Sequence, residues 1–390
     1  MPGVGIFSSD GFKMTQLPSP GSLPDLQQTS RSPQEDIALL RILDANGNRA
    51  AEGLRVVEDF SRFALNDKYL ASLCKQLRHE LTQSLSLVPV EIRLTARDTL
   101  GDVGATITEP AEQHRKDAWH VATASAARVQ QALRCLEEYS KPLSVELATG
   151  FESMRYRVYV LQRSLGITVS SVNRLHGIQL YVLLDGQPSE DALQERMTSL
   201  LQAGVQLFQL RDKTLDDRQL LQRARIMRET IDAGNRDQDR PALMIMNDRP
   251  DLAVLASADG VHVGQDELRV TDVRAIVGPQ RLIGVSTHTI EQAQQAVLDG
   301  ADYLGCGPTF PTATKEFTSY PGLDFLAEVS QAISLPAFAI GGIHRQQLPA
   351  VLKTGVSRIA VSGAIDQADC LSDEAAELLH LLADSAKQTE

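Results

Sequence analysis

Between Gln179 and Val361 the chain repeats one pattern eight times: a short β-prone run, then a longer polar or amphipathic stretch. The runs are Gln179–Leu184, Val205–Leu210, Leu243–Met246, Gly260–Val263, Leu282–Val285, Tyr303–Gly305, Pro336–Ile340 and Arg358–Val361. Amphipathic segments such as Asp191–Leu201, Asp217–Ile231, Ile290–Leu298 and Gln346–Leu352 separate them. Parallel strands need crossover connections, so this alternation reads as parallel β/α units. Eight units in about 210 residues fit a closed (β/α)8 TIM-type barrel, with an open doubly wound sheet as the main alternative. Polar and glycine-rich residues follow each run, as one functional rim at the strand ends requires.

The barrel pattern leaves almost half of the 390-residue chain unexplained, so a second domain is expected. Residues 1–33 are rich in Ser, Pro, Gly and Gln and read as a flexible tail. Residues 34–167 read as all-helical, with apolar positions at helical spacing through Leu54-Val57-Phe60 and Leu70-Leu73-Leu77-Leu81. Within them NRAAEGLRVVEDFSR (48–62) resembles ARVQQALRCLEEYSK (127–141), matching Arg49, Leu54, Arg55, Glu58 and Ser61 to Arg128, Leu133, Arg134, Glu137 and Ser140. An apolar helix follows each copy. A duplicated helical hairpin, forming a four-helix-type bundle, is the simplest account. Arg93 to Pro110 reads as a loop, 168–176 as a linker, and 177–390 as the barrel domain.

A formal net charge of −12 argues against a general nucleic-acid binder. The four cysteines show no CxxC pair and no zinc spacing, and read as free thiols. No apolar run is long enough for a membrane span, and no secretory signal is present. A cytoplasmic enzyme handling small molecules is expected, with a homo-oligomer left open.

The residues after each run carry the chemistry. Gln209, Arg211 and Lys213 alternate onto one face and suit phosphates. Asp248 follows the third run and Asp266-Glu267 the fourth, so a carboxylate at each of two adjacent strand ends suits Mg²⁺ shared with a substrate phosphate. His262 is read as a packed or hydrogen-bonded core histidine, and His288 as structural. Ser286 and Thr287 suit ligand orientation or helix capping. Gly307 to Lys315 forms a polar loop ending in a cation. Gly341-Gly342 and Ser362-Gly363 let backbone N–H groups approach a phosphate. Two anion sites in one cavity point to group transfer between two phosphorylated molecules.

In this order, QLRDK, MNDR, ADGVHVGQDE, IGVSTHT, DYLGCGPTFPTATK, AIGGI and VSGAI resemble the thiamine-phosphate synthase family over about Gly177 to Ile365. That resemblance implies transfer of a pyrimidine from its diphosphate to a thiazole phosphate through a pyrimidine carbocation, with pyrophosphate released and Mg²⁺ as cofactor. Loss of CO₂ follows if the thiazole is carboxylated. By motif, Gln209, Arg211, Lys213, Asn247, Ser286 and Lys315 would contact the pyrimidine diphosphate, and Lys315, Arg211 and Lys213 would be catalytic. Thr312, Thr314, Gly342, Ser362 and Gly363 would hold the thiazole phosphate. Asp248 and Glu267 would bind the metal. Two positions depart from the family pattern: Glu267 stands where Asp is usual, with Asp266 before it, and Gly363 where Ser is common.

The helical region resembles an extra domain fused to this synthase in some bacteria, for which a pyrimidine-phosphate kinase role is implied. The residues themselves give one charged helical face, Arg49, Glu52, Arg55, Asp59 and Arg62, and no GxxxxGK[ST] loop. A thiazole tautomerase or a non-catalytic ligand-sensing barrel are the competing readings of the second half. The clustering of Arg211, Lys213, Asn247 and Asp248 argues against the tautomerase, and the presence of the metal carboxylates argues against the sensing barrel.

Overall fold

A computed structural model describes residues 31–99, 101–102, 114–236, 241–311 and 320–387. The chain divides into two compact units between Leu165 and Gly166.

The first unit is helical: α1 (Pro33–Phe63), α2 (Lys68–Ser86), α3 (Val90–Ala96), α4 (Ala118–Ser140) and the start of α5 (Val145–Arg174). A capping box between Ser32 and Glu35 starts α1, with Pro33 in the first turn. Arg93–Ala96, expected in a loop, form the end of α3. The segment 168–176, expected as a linker, is helical as far as Arg174, since nothing in SSVNR breaks the α5 period.

The duplication is visible in the packing. The helices carrying the two similar motifs, α1 and α4, pack against each other. Glu58 and Glu137, matched in sequence, are both 4% exposed. Each takes an arginine from its own helix, Arg55 at 3.6 Å and Arg134 at 2.5 Å, and one from the next helix, Arg78 at 3.0 Å and Arg155 at 2.9 Å. Arg55, Asp59 and Arg62 remain a half-exposed face with intrahelical ion pairs.

Asp67 caps α2 through Leu70 N, and Ser144 receives Leu147 N in the same way at the start of α5. Counting from these caps aligns buried Leu70, Leu77 and Leu81 with buried Leu147, Met154 and Val158. The same count aligns Glu80 with Arg157. These two meet at 2.5 Å, with side chains 1% and 4% exposed.

The second unit is a closed barrel of eight parallel strands. They are β1 (Leu180–Leu184), β2 (Leu207–Leu210), β3 (Leu243–Asn247), β4 (Gly260–Val263), β5 (Leu282–Thr287), β6 (Tyr303–Cys306), β7 (Ala337–Ile340) and β8 (Ile359–Val361). Closure is direct: Tyr181 pairs with Ala360 and Val182 with Val361, which excludes the open sheet. Leu207, Ile245, Leu282, Tyr303 and Phe338 fill the interior around Tyr181, with Leu175 and Ile178 in the same cluster. Ser189, Asp216 and Thr289 cap the helices that follow β1, β2 and β5, satisfying first-turn amides and shaping the rim loops. Among the described residues no helix is long and apolar enough to cross a membrane.

Candidate active site

The C-terminal ends of the strands open into a cavity of about 790 Å³. Arg211, Lys213, Asn247, Asp248, Glu267 and Ser286 line one part of its wall. Gly341, Gly342, Ser362 and Gly363 line another. The strand order makes these two groups distinct: the first comes from β2 to β5, the second from β7 and β8.

The loop after β2 is fixed from below. Arg211 N donates to Leu184 O at 2.8 Å. The Asp212 carboxylate accepts from Gly186 N, Thr214 N and Oγ1, and Leu215 N. Burial opposes its ionisation, but these hydrogen bonds outweigh burial and hold the carboxyl below its usual range. Asp212 therefore acts as a clamp that presents the flanking Arg211 and Lys213 to the cavity. Arg249 plays a similar outer role, bridging Asp217 and Asp251.

Asp248 stands in the left-handed region at φ 59°, with its N–H bound to His262 O at 2.8 Å. A non-glycine residue there costs about 1–2 kcal/mol and persists where the surroundings over-determine it. Burial pushes its carboxyl above the usual carboxylate range, and the charge of Glu267 pushes the same way; Lys213 and Arg211 oppose them. Glu267 is thus the carboxylate that Asp248 feels. A Cβ at Gly264 would collide with the Glu267 carboxylate, so the glycine leaves room for the longer side chain to fold back. Among the described residues there is no group of three or more His, Cys, Asp or Glu that could hold a metal.

Gln209, expected beside Arg211 and Lys213, lies elsewhere. It is 2% exposed beneath the cavity, and its amide reaches the Tyr181 hydroxyl. His262, read as a hydrogen-bonded core histidine, is 7% exposed, bonds Tyr303 and Ser286, and also reaches the cavity. Burial pushes its pKa down to about 4, with Arg211 acting in the same direction. Thr287 is fully buried and donates to Gly305 O, a structural role. His288 lines the cavity with Nδ1 against Gly307 O. Tyr181 and Tyr303 were not singled out from sequence. Their signal was two phenols on inward-facing positions where aliphatic side chains dominate.

On the opposite wall Gly341 and Gly342 have φ of 97° and 63°. A Cβ on Gly342 would lie 2.5 Å from Pro311 O, so glycine is required by both backbone and space. Thr309 N and Phe310 N donate to Ile340 O and Gly341 O, docking the loop after β6 onto the end of β7. Ser362 Oγ donates to Asp366 at 2.9 Å. Thr312, Thr314 and Lys315 lie outside the described residues.

Residues 180–365 match the family model described as Thiamine monophosphate synthase, and residues 41–164 match the ThiD2 family. The thiamine-phosphate synthase of Rhodopirellula baltica is 45% identical over 357 residues, covering 89% of this chain and 94% of that protein. The chain belongs to the thiamine-phosphate synthase family. It is accordingly an enzyme, a transferase of thiamine biosynthesis. The thiamine-phosphate synthase of Gloeobacter violaceus is 42% identical over 336 residues, covering 86% of this chain and 94% of that protein. In both comparisons with these synthases the match is too long for the barrel alone, so the helical unit is shared as well. A solved thiamine phosphate pyrophosphorylase from Pyrococcus furiosus is 30% identical, covers 55% of this chain and 98% of that one, and has a TM-score of 0.48.

Proposed function

We propose that the chain joins the diphosphate of hydroxymethylpyrimidine to a thiazole phosphate, giving thiamine phosphate and pyrophosphate. The observation that carries this reading is one cavity with two separate walls suited to anions. Arg211, Lys213 and Asn247 offer charged and amide donors on one wall, and the turns at Gly342 and Gly363 offer close backbone approach on the other.

In the reaction the C–O bond between the pyrimidine methylene and the diphosphate breaks, and its electron pair leaves with pyrophosphate. The thiazole nitrogen lone pair then forms the new C–N bond. With a carboxylated thiazole, CO₂ departs and its bonding pair stays on the ring carbon, which takes up a proton. Arg211 and Lys213, which line the cavity, stabilise the charge that grows on the departing group, the effect expected to dominate. Lys315 is assigned to the same anion by its motif. Asn247 and Ser286 orient the diphosphate. The opposite wall holds the second phosphate so that the two reactants meet without diffusing.

Asp248 and Glu267 fit a Mg²⁺ ion. Burial and the nearby Glu267 charge both disfavour a bare Asp248 carboxylate, which favours a cation beside it, and Mg²⁺ commonly takes only one or two carboxylates beside water and phosphate. When bound it would neutralise diphosphate charge. The decisive assay supplies both phosphorylated substrates with Mg²⁺ and measures thiamine phosphate; none above background sinks the proposal. Asp248→Asn should abolish turnover while leaving thermal stability near wild type, and full activity in that variant would remove Asp248 from the metal site.

For the helical unit, the ThiD2 match supports a pyrimidine-phosphate kinase that supplies the barrel. The full chain, given ATP, the pyrimidine monophosphate and thiazole phosphate, should then make thiamine phosphate. Absence of product, with the diphosphate substrate still accepted, would reject that assignment.

A further inference from the structure

Beneath the cavity floor five side chains form one unbroken hydrogen-bonded chain. Gln209 Nε2 lies 2.5 Å from Tyr181 Oη, and Tyr181 Oη lies 3.0 Å from Tyr303 Oη. Tyr303 Oη lies 3.1 Å from His262 Nδ1, and His262 Nε2 lies 2.9 Å from Ser286 Oγ. Gln209, Tyr181, Tyr303 and His262 are all buried, and Ser286, on the cavity wall, is the terminal member. The strands make room for it: a Cβ on Gly284 would overlap the Tyr303 ring and His262, and one on Gly305 would press on the imidazole.

Such a chain has only two polarities. A phenol donates one proton and accepts elsewhere, and a neutral imidazole donates from one nitrogen and accepts at the other. Burial raises both tyrosine pKa values, so each phenol keeps its proton. His262 is buried with each ring nitrogen facing one hydroxyl and, among the described residues, no carboxylate at either, so the imidazole takes its neutral form, donating at one nitrogen and accepting at the other. No member can then donate in both directions, and the amide at the closed end decides the sense.

With Gln209 Nε2 donating to Tyr181, Tyr181 donates to Tyr303 and Tyr303 donates to His262 Nδ1. The imidazole must then carry its proton on Nε2 and give it to Ser286 Oγ. Ser286 is left with its own O–H directed to an acceptor in the cavity. In the opposite polarity Ser286 would spend its proton on His262 and turn only lone pairs outward. That arrangement would repel the anions that neighbouring Arg211 and Lys213 recruit.

We propose that Gln209, Tyr181, Tyr303 and His262 are positioning residues that set Ser286 as a hydrogen-bond donor to an anionic oxygen of the substrate. The identity of that oxygen rests on the function proposed above; the polarity of the chain does not.

Histidine-selective ¹⁵N labelling of the full chain tests the polarity directly. Long-range ¹H–¹⁵N spectra at neutral pH, with the His262 signals assigned by their loss in His262→Gln, should show a single tautomer protonated at Nε2. A ring protonated at Nδ1 would overturn the proposal. Gln209→Met removes the terminal donor without adding charge, and should let the Nδ1–H tautomer appear in a protein that still unfolds cooperatively. An unchanged single tautomer would mean that Gln209 does not set the sense. Should Gln209→Met not fold, Tyr181→Phe interrupts the same chain while keeping the ring, and the same two spectral outcomes apply.

Kinetics supply a second readout. Tyr181→Phe should lower kcat/KM for the diphosphate substrate roughly three- to tenfold, the effect of one weakened hydrogen bond. In a Ser286→Ala background the same substitution should have no further effect. Equal losses in both backgrounds would make Tyr181 merely structural. A wild-type chain without synthase activity would reject the proposed function yet leave the tautomer measurement intact.

Discussion

Replacing Gly342 by alanine tests the thiazole-phosphate wall most sharply. Gly342 holds φ at 63°, where an L-residue loses about 1–2 kcal/mol. The new methyl would also lie 2.5 Å from Pro311 O and 2.9 Å from Phe310 Cβ. Pro311 O and Gly342's own chain are backbone, so the β6 and β7 loops must part. A displacement of that kind misaligns the turn's amides from a phosphate, and a hydrogen bond to a charged group contributes about 1.5–3 kcal/mol. The expected outcome is a KM for thiazole phosphate raised about 10- to 150-fold, with KM for the pyrimidine diphosphate changed far less. Steady-state kinetics varying each substrate in turn give both values, and a melting curve confirms that the barrel persists. A thiazole-phosphate KM within twofold of wild type would refute this placement of the phosphate.

Three further outcomes follow from the same structure. Gly363 has ordinary φ, and a Cβ there meets only Gln367 at 3.7 Å, so Gly363→Ser should fold normally and bind thiazole phosphate at least as well; a raised KM would show that its backbone N–H, not side-chain space, is limiting. Glu80→Ala leaves Arg157 buried without its carboxylate and should cost about 3–5 kcal/mol in chemical denaturation of the helical unit, whereas Glu80→Met with Arg157→Leu should come close to wild type. His262 is held neutral, with its pKa pushed down to about 4, while the unfolded chain takes up that proton near 6.5; stability is therefore undiminished above 6.5 and falls as pH drops toward 4, by about 3 kcal/mol. Denaturation at several pH values should show that extra acid loss in wild type and not in His262→Gln, and identical pH profiles would mean that the imidazole is not buried neutral.

The barrel was legible because its signal is periodic and repeated: each expected run lies within a residue or two of an observed strand. Closure was less legible, since β1 and β8 pair through residues at opposite ends of the pattern and nothing local in either announces the partner. The wall residues Arg211, Asn247, Asp248 and Gly342 could be read because they follow strands, where a barrel has only one functional end. Gln209 lies deeper than its pattern suggested, because alternation reports which way a side chain points, not how deep it lies; one pleat below Arg211 is already the packed interior. Tyr181 and Tyr303 escaped notice because a tyrosine in an apolar run looks like core, and only the meeting of distant strands reveals hydroxyls in contact. The supposed linker at 168–176 failed for a different reason: a polar composition weakens a helix signal without containing a stop.

The meeting of Glu80 with Arg157 bears on how the helical unit came to be one chain. Equivalent positions of two related hairpins touch each other, so identical hairpins would set like against like: two buried carboxylates or two buried guanidiniums. Either is far less stable than the opposite pair. At this position the two copies carry opposite charges that match each other. At this contact each half complements the other better than it would a second copy of itself.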